Sequence, residues 1–420
     1  MRRNRRARGV WAVLAASAIA VITGCSPSPT VEHEPLPQVD AAFPSAIQDQ
    51  LTTAVQTAMA ATGSTGAIVE VRAPWAGVWR QALGTQTPKG GAVSPDLAFK
   101  AGPITRAMTC DVLYGMAHRG IVRIDDHLTR WLSGYPSAEG ITLGDLCDST
   151  SGLKSYAKEI SDRWYVTPER VWKPKELVAY GMSTGLDGEP GAAYRDSDTG
   201  YVLLGLALER AGGKSAADLF DEYVFEPLGM ESSSLTSGSR TGAGMLTGQR
   251  SVNGDDGKID CAAPVDVTAV SGSAGFTAAG VFSTVDDLSD YVQALALGTR
   301  SFDTEARFAD PLPTSTTAPT WLTARGGAVQ AATLVGQAGA VPGYLTAAFA
   351  DRETGMSVVV VLNNSRASGV NARDLAWELA AIVSKAPAAA GEKAPEGGRL
   401  PWEPQTYADK IVDAAICPLP

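Results

Sequence analysis

Histidine is nearly absent. The 420 residues hold three, His33, His118 and His127. None falls in a His-Glu-x-x-His pattern or a serine–histidine triad pattern, so those two hydrolase signatures are missing. All three read as solvated surface positions. Cysteine is also scarce, with five residues and no Cys-x-x-Cys spacing, which leaves zinc-ribbon and dithiol redox motifs unsupported. There is no Gly-x-Ser-x-Gly elbow. The "GGKS" at 212–215 lacks the first glycine of a phosphate-binding loop. Neither a metal nor a cofactor is expected.

Long apolar runs are missing too. Val10–Ile22, 13 residues, is too short to span a bilayer comfortably and fits a secretory signal. It follows a basic start with Arg2, Arg3, Arg5, Arg6 and Arg8, and it precedes "ITGC", ending at Cys25. This order resembles the lipidation box of bacterial lipoproteins, with Cys25 as the lipidated residue. The expected location is therefore the extracytoplasmic face of the cell membrane, held by a lipid anchor alone. The formal net charge is −10, and without those five arginines it falls to −15. A mature chain that acidic argues against nucleic acid as a partner.

What is present is an ordinary globular composition, 45% hydrophobic and 19% charged. Residues 1–24 read as signal peptide and 25–44 as a Pro-rich tether. A helix is predicted over 46–62, then a hairpin over "GAIVEVRAPWAGVWRQALGTQ". Helical patterns dominate from Gly102 to about Leu228. Strand patterns return in "AATLVGQAG", "YLTAAFADRE" and "GMSVVVVLNNS", followed by a helix in "NARDLAWELAAIVSK". Strands at both ends of the chain with helices between them predict one antiparallel sheet with a helical insertion. Residues 386–420 read as a linker and C-terminal tail.

Several segments resemble the serine β-lactamase-related family, which includes class C β-lactamases and D-alanyl-D-alanine carboxypeptidases. They are "HRGIVRIDDHLTRWLSGYP" (118–136), "ITLGDLCDSTSGL" (141–153), "DTGYVLLGLALERAGGKS" (198–215), "FEPLGMESS" (225–233), "SAGFTAAGVFSTVDDLSDYVQALALG" (273–298) and "VPGYLTAAFADRETGMSVVVVLNNS" (341–365). The resemblance covers 45–385. It implies an α+β, β-lactamase/transpeptidase-like fold: an antiparallel sheet flanked by helices, with an inserted all-helical subdomain over roughly 102–275.

The site that the resemblance implies is altered throughout. Where the family carries Ser-x-x-Lys at a helix start, this chain has Pro103-Ile104-Thr105-Arg106. Proline has no nucleophile, and arginine stays protonated and cannot serve as the base. Where the family carries Tyr-x-Asn, this chain has Asp196-Ser197-Asp198. Where it carries His-x-Gly or Lys-Thr-Gly, this chain has Gln337-Ala338-Gly339. The expectation is a vestigial pocket of Pro103, Arg106, Asp196, Asp198, Gln337 and Gly339, with Arg106 clustered on the two aspartates. Tyr194, two residues out of register, is expected to point elsewhere. "SGLK" (151–154) and "SYAK" (155–158) spell Ser-x-x-Lys outside the matching helix start, and chance is the preferred explanation. Acid pairs such as Asp125–Asp126 and Asp286–Asp287 read as turn and helix-start residues.

Four cysteines remain beyond Cys25, and an exported chain can join them in three ways. Helical spacing puts Cys110 on the face of Pro103 and Arg106. The resemblance packs the Cys147 segment near that helix. Cys110–Cys147 is therefore favoured, leaving Cys261–Cys417 to staple the tail. The expected function is binding of cell-wall peptide or a protein partner without catalysis. The alternative is an active serine hydrolase of carboxypeptidase, esterase or β-lactamase type with relocated residues.

Overall fold

The computed structural model describes residues 36–419 apart from 136–137 and 184. Cys25, His33 and the expected signal lie outside the described residues. The main sheet has eight antiparallel strands. They are numbered here β1 (Gly66–Ala73), β2 (Gly77–Gly84), β3 (Leu312–Pro313), β4 (Leu322–Arg325), β5 (Ala328–Ala331), β6 (Leu334–Val341), β7 (Tyr344–Asp351) and β8 (Ser357–Leu362). Their order is β2-β1-β8-β7-β6-β5-β4-β3. The two ends of the chain thus meet at β1 and β8, paired from Ala67↔Leu362 to Arg72↔Ser357.

Strand periodicity divides the core into two faces. Val69, Val71, Val358, Val360, Leu345, Ala347 and Phe349 point to one face. There they meet helices α1 (Ser45–Thr62), α5 (Val370–Val383) and α6 (Pro404–Asp413). Ile68, Val359, Val361, Tyr344 and Ala348 point to the other face and join the core of the inserted segment. That insertion carries α2 (Thr105–His118) and α3 (Asp198–Gly212), and α4 (Val285–Leu297) packs behind the sheet. The alternation explains why β1 is buried along its whole length. Arg72, on the second face, reaches Asp286 and Asp290 of α4.

Two features depart from the sequence reading. The insertion is not all-helical. It holds a hairpin, Gln249–Asn253 with Ile259–Asp266, and a short strand, Ser234–Leu235, that pairs with Val281–Ser283 just beyond it. Every residue of the hairpin's second strand is half-buried or exposed, so it lacks the apolar alternation that marks a strand in sequence. The C-terminal segment is also more than a tail. Trp402 stacks within 4.9 Å of Trp321 and 5.5 Å of Trp377, and Tyr407 and Ile411 are buried. Among the described residues, no helix is long and apolar enough to cross a membrane.

Candidate functional site

The site forms where Phe99–Lys100 turns into α2. Ala101 N donates to Val281 O at 2.8 Å, which closes the strand. Gly102 then takes φ 60°, a left-handed value that glycine adopts without strain. One 3-10 turn, Gly102–Ile104, leads into α2. Pro103 sits in that first turn, where its missing N–H leaves no helical bond unmade.

The Pro103 ring lies against β6. A methyl group added at Gly339 would come within 2.5 Å of Pro103 Cγ. A methyl group at Gly369, just before α5, would come within 2.4 Å of Gly339 C. Two glycines therefore let the helix start, the strand and α5 approach closely.

Arg106, one turn beyond Pro103, has a side chain only 7% exposed. Its Nη1 donates to Asp196 Oδ1 at 2.5 Å and its Nη2 to Asp198 Oδ1 at 2.7 Å. The guanidinium also lies 5.3 Å from the Tyr201 ring centre. Burial opposes its charge, but the carboxylates of Asp196 and Asp198 outweigh burial and hold the group well above the usual arginine range. Asp196 is half exposed to the cavity. Crowding by protein and repulsion from Asp198 nonetheless raise its carboxyl above the ordinary range, against the pull of Arg106.

Asp198 begins α3, which Ser197 caps by accepting from Gly200 N. The second oxygen of Asp198 accepts from Ser155 Oγ at 2.5 Å. The Ser155 hydroxyl of "SYAK" therefore belongs to the same cluster. Sequence reasoning treated it as a coincidence, because its motif lies far from the helix start. Gln337 is occupied internally: Nε2 donates to Gly327 O at 3.1 Å, and Oε1 accepts from Ala338 N at 3.1 Å.

These residues enclose a cavity of about 500 Å³ whose wall contains Pro103, Arg106, Asp196, Asp198, Gln337 and Gly339. Tyr194 also lines it, contrary to the expectation that it points away. The backbone bond from Arg195 N to Ser149 O, 2.7 Å, holds the 191–197 segment over the cavity. Burial and the charge of Asp196 push the Tyr194 phenol well above its ordinary range. Arg373, from α5, adds a second cation to the wall. No sequence motif marked it. His118 and His127 are exposed.

Behind the cavity, α2 is fastened by two means. Cys110 and Cys147 are bonded, as are Cys261 and Cys417, the two pairings favoured from the sequence. Asp111, fully buried, pairs with Arg300 at 2.9 Å and also with Arg307, and it accepts from Tyr291 Oη at 2.7 Å. The two guanidiniums outweigh the effect of burial and keep its carboxyl below the usual range.

Chemically, the helix start offers the cavity no hydroxyl and no group that can take up a proton, since Thr105 is buried with its Oγ1 accepting from Val281 N at 3.2 Å. What it offers is a polar recess with fixed charges of both signs. Among the described residues, no group of His, Cys, Asp and Glu is arranged to hold a metal ion.

An antiparallel sheet with helices on both faces, and a site at the start of a helix from the insertion, define the β-lactamase/transpeptidase class of fold. A D-stereospecific amidohydrolase from a Streptomyces species shares it, with a TM-score of 0.66 and 22% identity over 79% of this chain and 97% of that one. The Beta-lactamase family model matches residues 51–381, and the chain belongs to that family. Penicillin-binding protein 4* of Bacillus subtilis is 32% identical over 31% of this chain and 29% of its own length. The D-alanyl-D-alanine-carboxypeptidase/endopeptidase AmpH of Escherichia coli is 26% identical over 64% of this chain and 66% of its own length. The matched stretches thus span between 29% and 66% of these two relatives.

Proposed function

We propose that this family member binds cell-wall peptide in the cavity and does not cleave it. The observation that carries this reading is Arg106, held by Asp196 and Asp198 one turn beyond Pro103. A serine hydroxyl needs a base within reach to become a nucleophile, and this helix start supplies neither. A guanidinium between two carboxylates is instead a fixed recognition element. The peptide class is suggested by the carboxypeptidase name of one relative, and the cavity of about 500 Å³ has the size of a small-ligand site. Attachment to the outer face of the cell membrane through Cys25 completes the proposal. It is supported by the order of basic, apolar and Cys25 segments.

Fluorescent β-lactam and fluorophosphonate probes should leave the protein unlabelled, while muropeptides should raise its melting temperature. A covalent adduct with either probe overturns the silent reading. A flat response to muropeptides with capture of a protein partner moves the ligand class. Incorporation of a palmitate analogue, lost in Cys25→Ser, tests the anchor.

One observation favours an active hydrolase with relocated residues. Ser155 Oγ donates to Asp198 Oδ2, and a carboxylate so placed can accept a proton. Against it, the same carboxylate is already neutralised by Arg106. A fluorophosphonate adduct mapped to Ser155 would establish this second reading.

A further inference from the structure

A smaller recess of about 70 Å³ lies beside the main cavity, and Asp198 and Ala340 stand in the walls of both. Lys100 lines it, together with Tyr156, Trp164 and the segment from Val270 to Ala279. Lys100 comes from the strand that leads to the helix start, and it is 1% exposed. Its Nζ donates to two backbone carbonyls over long distances, Thr268 O at 3.3 Å and Pro342 O at 3.4 Å. The Tyr344 ring centre lies 5.8 Å away. Among the described residues, no carboxylate forms an ion pair with it.

An ammonium ion so placed has lost its water and gained little in return. Burial accordingly pushes the amine down to about 7, with Asp266 opposing weakly. The ionisable groups around it are Asp198 and Tyr156 in the recess wall, Tyr344 alongside and Asp266 beyond Thr268. Near neutral pH a large share of Lys100 is therefore the free amine, which is the nucleophilic form. Surface lysines, near 10.4, are almost all protonated there.

We propose that Lys100 and this recess trap small neutral aldehydes or ketones as an imine. The Nζ lone pair attacks the carbonyl carbon, a C–N bond forms, and the C=O π pair moves to oxygen. One N–H proton passes to that oxygen, giving a carbinolamine. The hydroxyl then leaves with the second N–H proton as water, and the C=N bond remains. No oxidant, reductant or metal is needed. Size and charge set the class of carbonyl compound. One water needs roughly 10–15 Å³ of such space, so the recess takes only a few heavy atoms. The apolar side chains of Trp164, Val270 and Val341 in the wall disfavour anionic keto acids, which would lose their water there. This site does not depend on the peptide-binding reading.

The test uses the purified protein with propanal and sodium cyanoborohydride at pH 7, which fixes the imine as a propyl-lysine. Peptide mapping should find Lys100 modified at least about ten-fold faster than the average surface lysine. The preference should vanish in 8 M urea, and benzaldehyde should show little of it. Surface lysines modified while Lys100 stays free would overturn the proposal, as would an equal preference in urea. Both readouts use the natural chain, so the result does not depend on whether Lys100→Arg folds.

Discussion

Arg106 Nη2 donates to Asp198 Oδ1 at 2.7 Å, and the Arg106 side chain is 7% exposed against 17% for Asp198. The pair closes the site at the point where a base would have to work. Breaking a buried pair by removing one partner is costly, because the other charge stays behind. Arg106→Met should therefore destabilise the protein by about 3–5 kcal/mol in urea unfolding. Asp198→Asn should cost less, since Arg106 keeps Asp196. Equal losses in the two variants would show that Asp196 contributes nothing.

Restoring the family's residue types at the helix start should not restore chemistry. In Pro103→Ser with Arg106→Lys, the new lysine would lie between Asp196 and Asp198. Two nearby carboxylates favour the charged amine and raise its pKa, so the lysine cannot accept the serine proton near neutral pH. The double variant should remain unlabelled by a fluorescent β-lactam on a denaturing gel. An adduct would show that the aspartates do not hold the proton.

The contact between Pro103 and Gly339 gives a packing prediction. A methyl group at Gly339 meets the proline ring at 2.5 Å. Overpacking of this kind typically costs about 1–3 kcal/mol. Gly339→Ala should lose stability in that range, and the loss should shrink in a Pro103→Ala background. A double-mutant cycle in urea checks this, since two residues in contact must show coupling. Gly369→Ala meets backbone at 2.4 Å, and no proline change should relieve it.

The fold was legible wherever burial imposes a period. Strands β7 and β8 and helix α5 are apolar in the rhythm of their elements, because both faces of the sheet are covered. The charge cluster was also readable, since Arg106, Asp196 and Asp198 replace residues that the family brings together. The hairpin ending at Asp266 and the packing of Trp402 were not readable. The first is largely solvated. The second depends on a long-range contact with Trp321 and Trp377, which no local pattern encodes. Tyr194 was misplaced because strict register from the motif ignored the path of the 191–197 loop.

The C-terminal packing can be measured. Ending the chain after Lys385 would remove Trp402, Tyr407 and Ile411 from the core. Burial of one large apolar side chain contributes about 1.5–3 kcal/mol, so the truncated protein should unfold at markedly lower urea. It should also lose the Cys261–Cys417 bond. Trp402→Ala alone should cost about 3–5 kcal/mol. An unchanged midpoint in both variants would mean that the segment is dispensable.

Lys100 makes stability depend on pH in an unusual direction. Its amine has an ordinary value of 10.5, and burial pushes it down to about 7 in the folded chain. Between those values the unfolded chain binds more protons, so Lys100 lets stability rise with pH. Its cost is complete below pH 7, where the folded state must bury the ammonium, and vanishes above pH 10.5, where neither state is protonated. Methionine at this position has no such cost, and it fills the same space with an apolar chain. Lys100→Met should therefore be more stable than the natural protein at pH 7. That advantage should narrow by about 1.4 kcal/mol per pH unit around pH 8 to 9, and more gently near pH 7 and pH 10, where the folded and unfolded amines titrate. Loss of the bonds to Thr268 O and Pro342 O shifts the whole comparison by a constant and leaves its slope. Urea unfolding of both proteins at pH 7, 8, 9 and 10 reads that slope. A constant difference would mean that Lys100 keeps its proton when folded, and would remove the free amine on which the carbonyl chemistry rests.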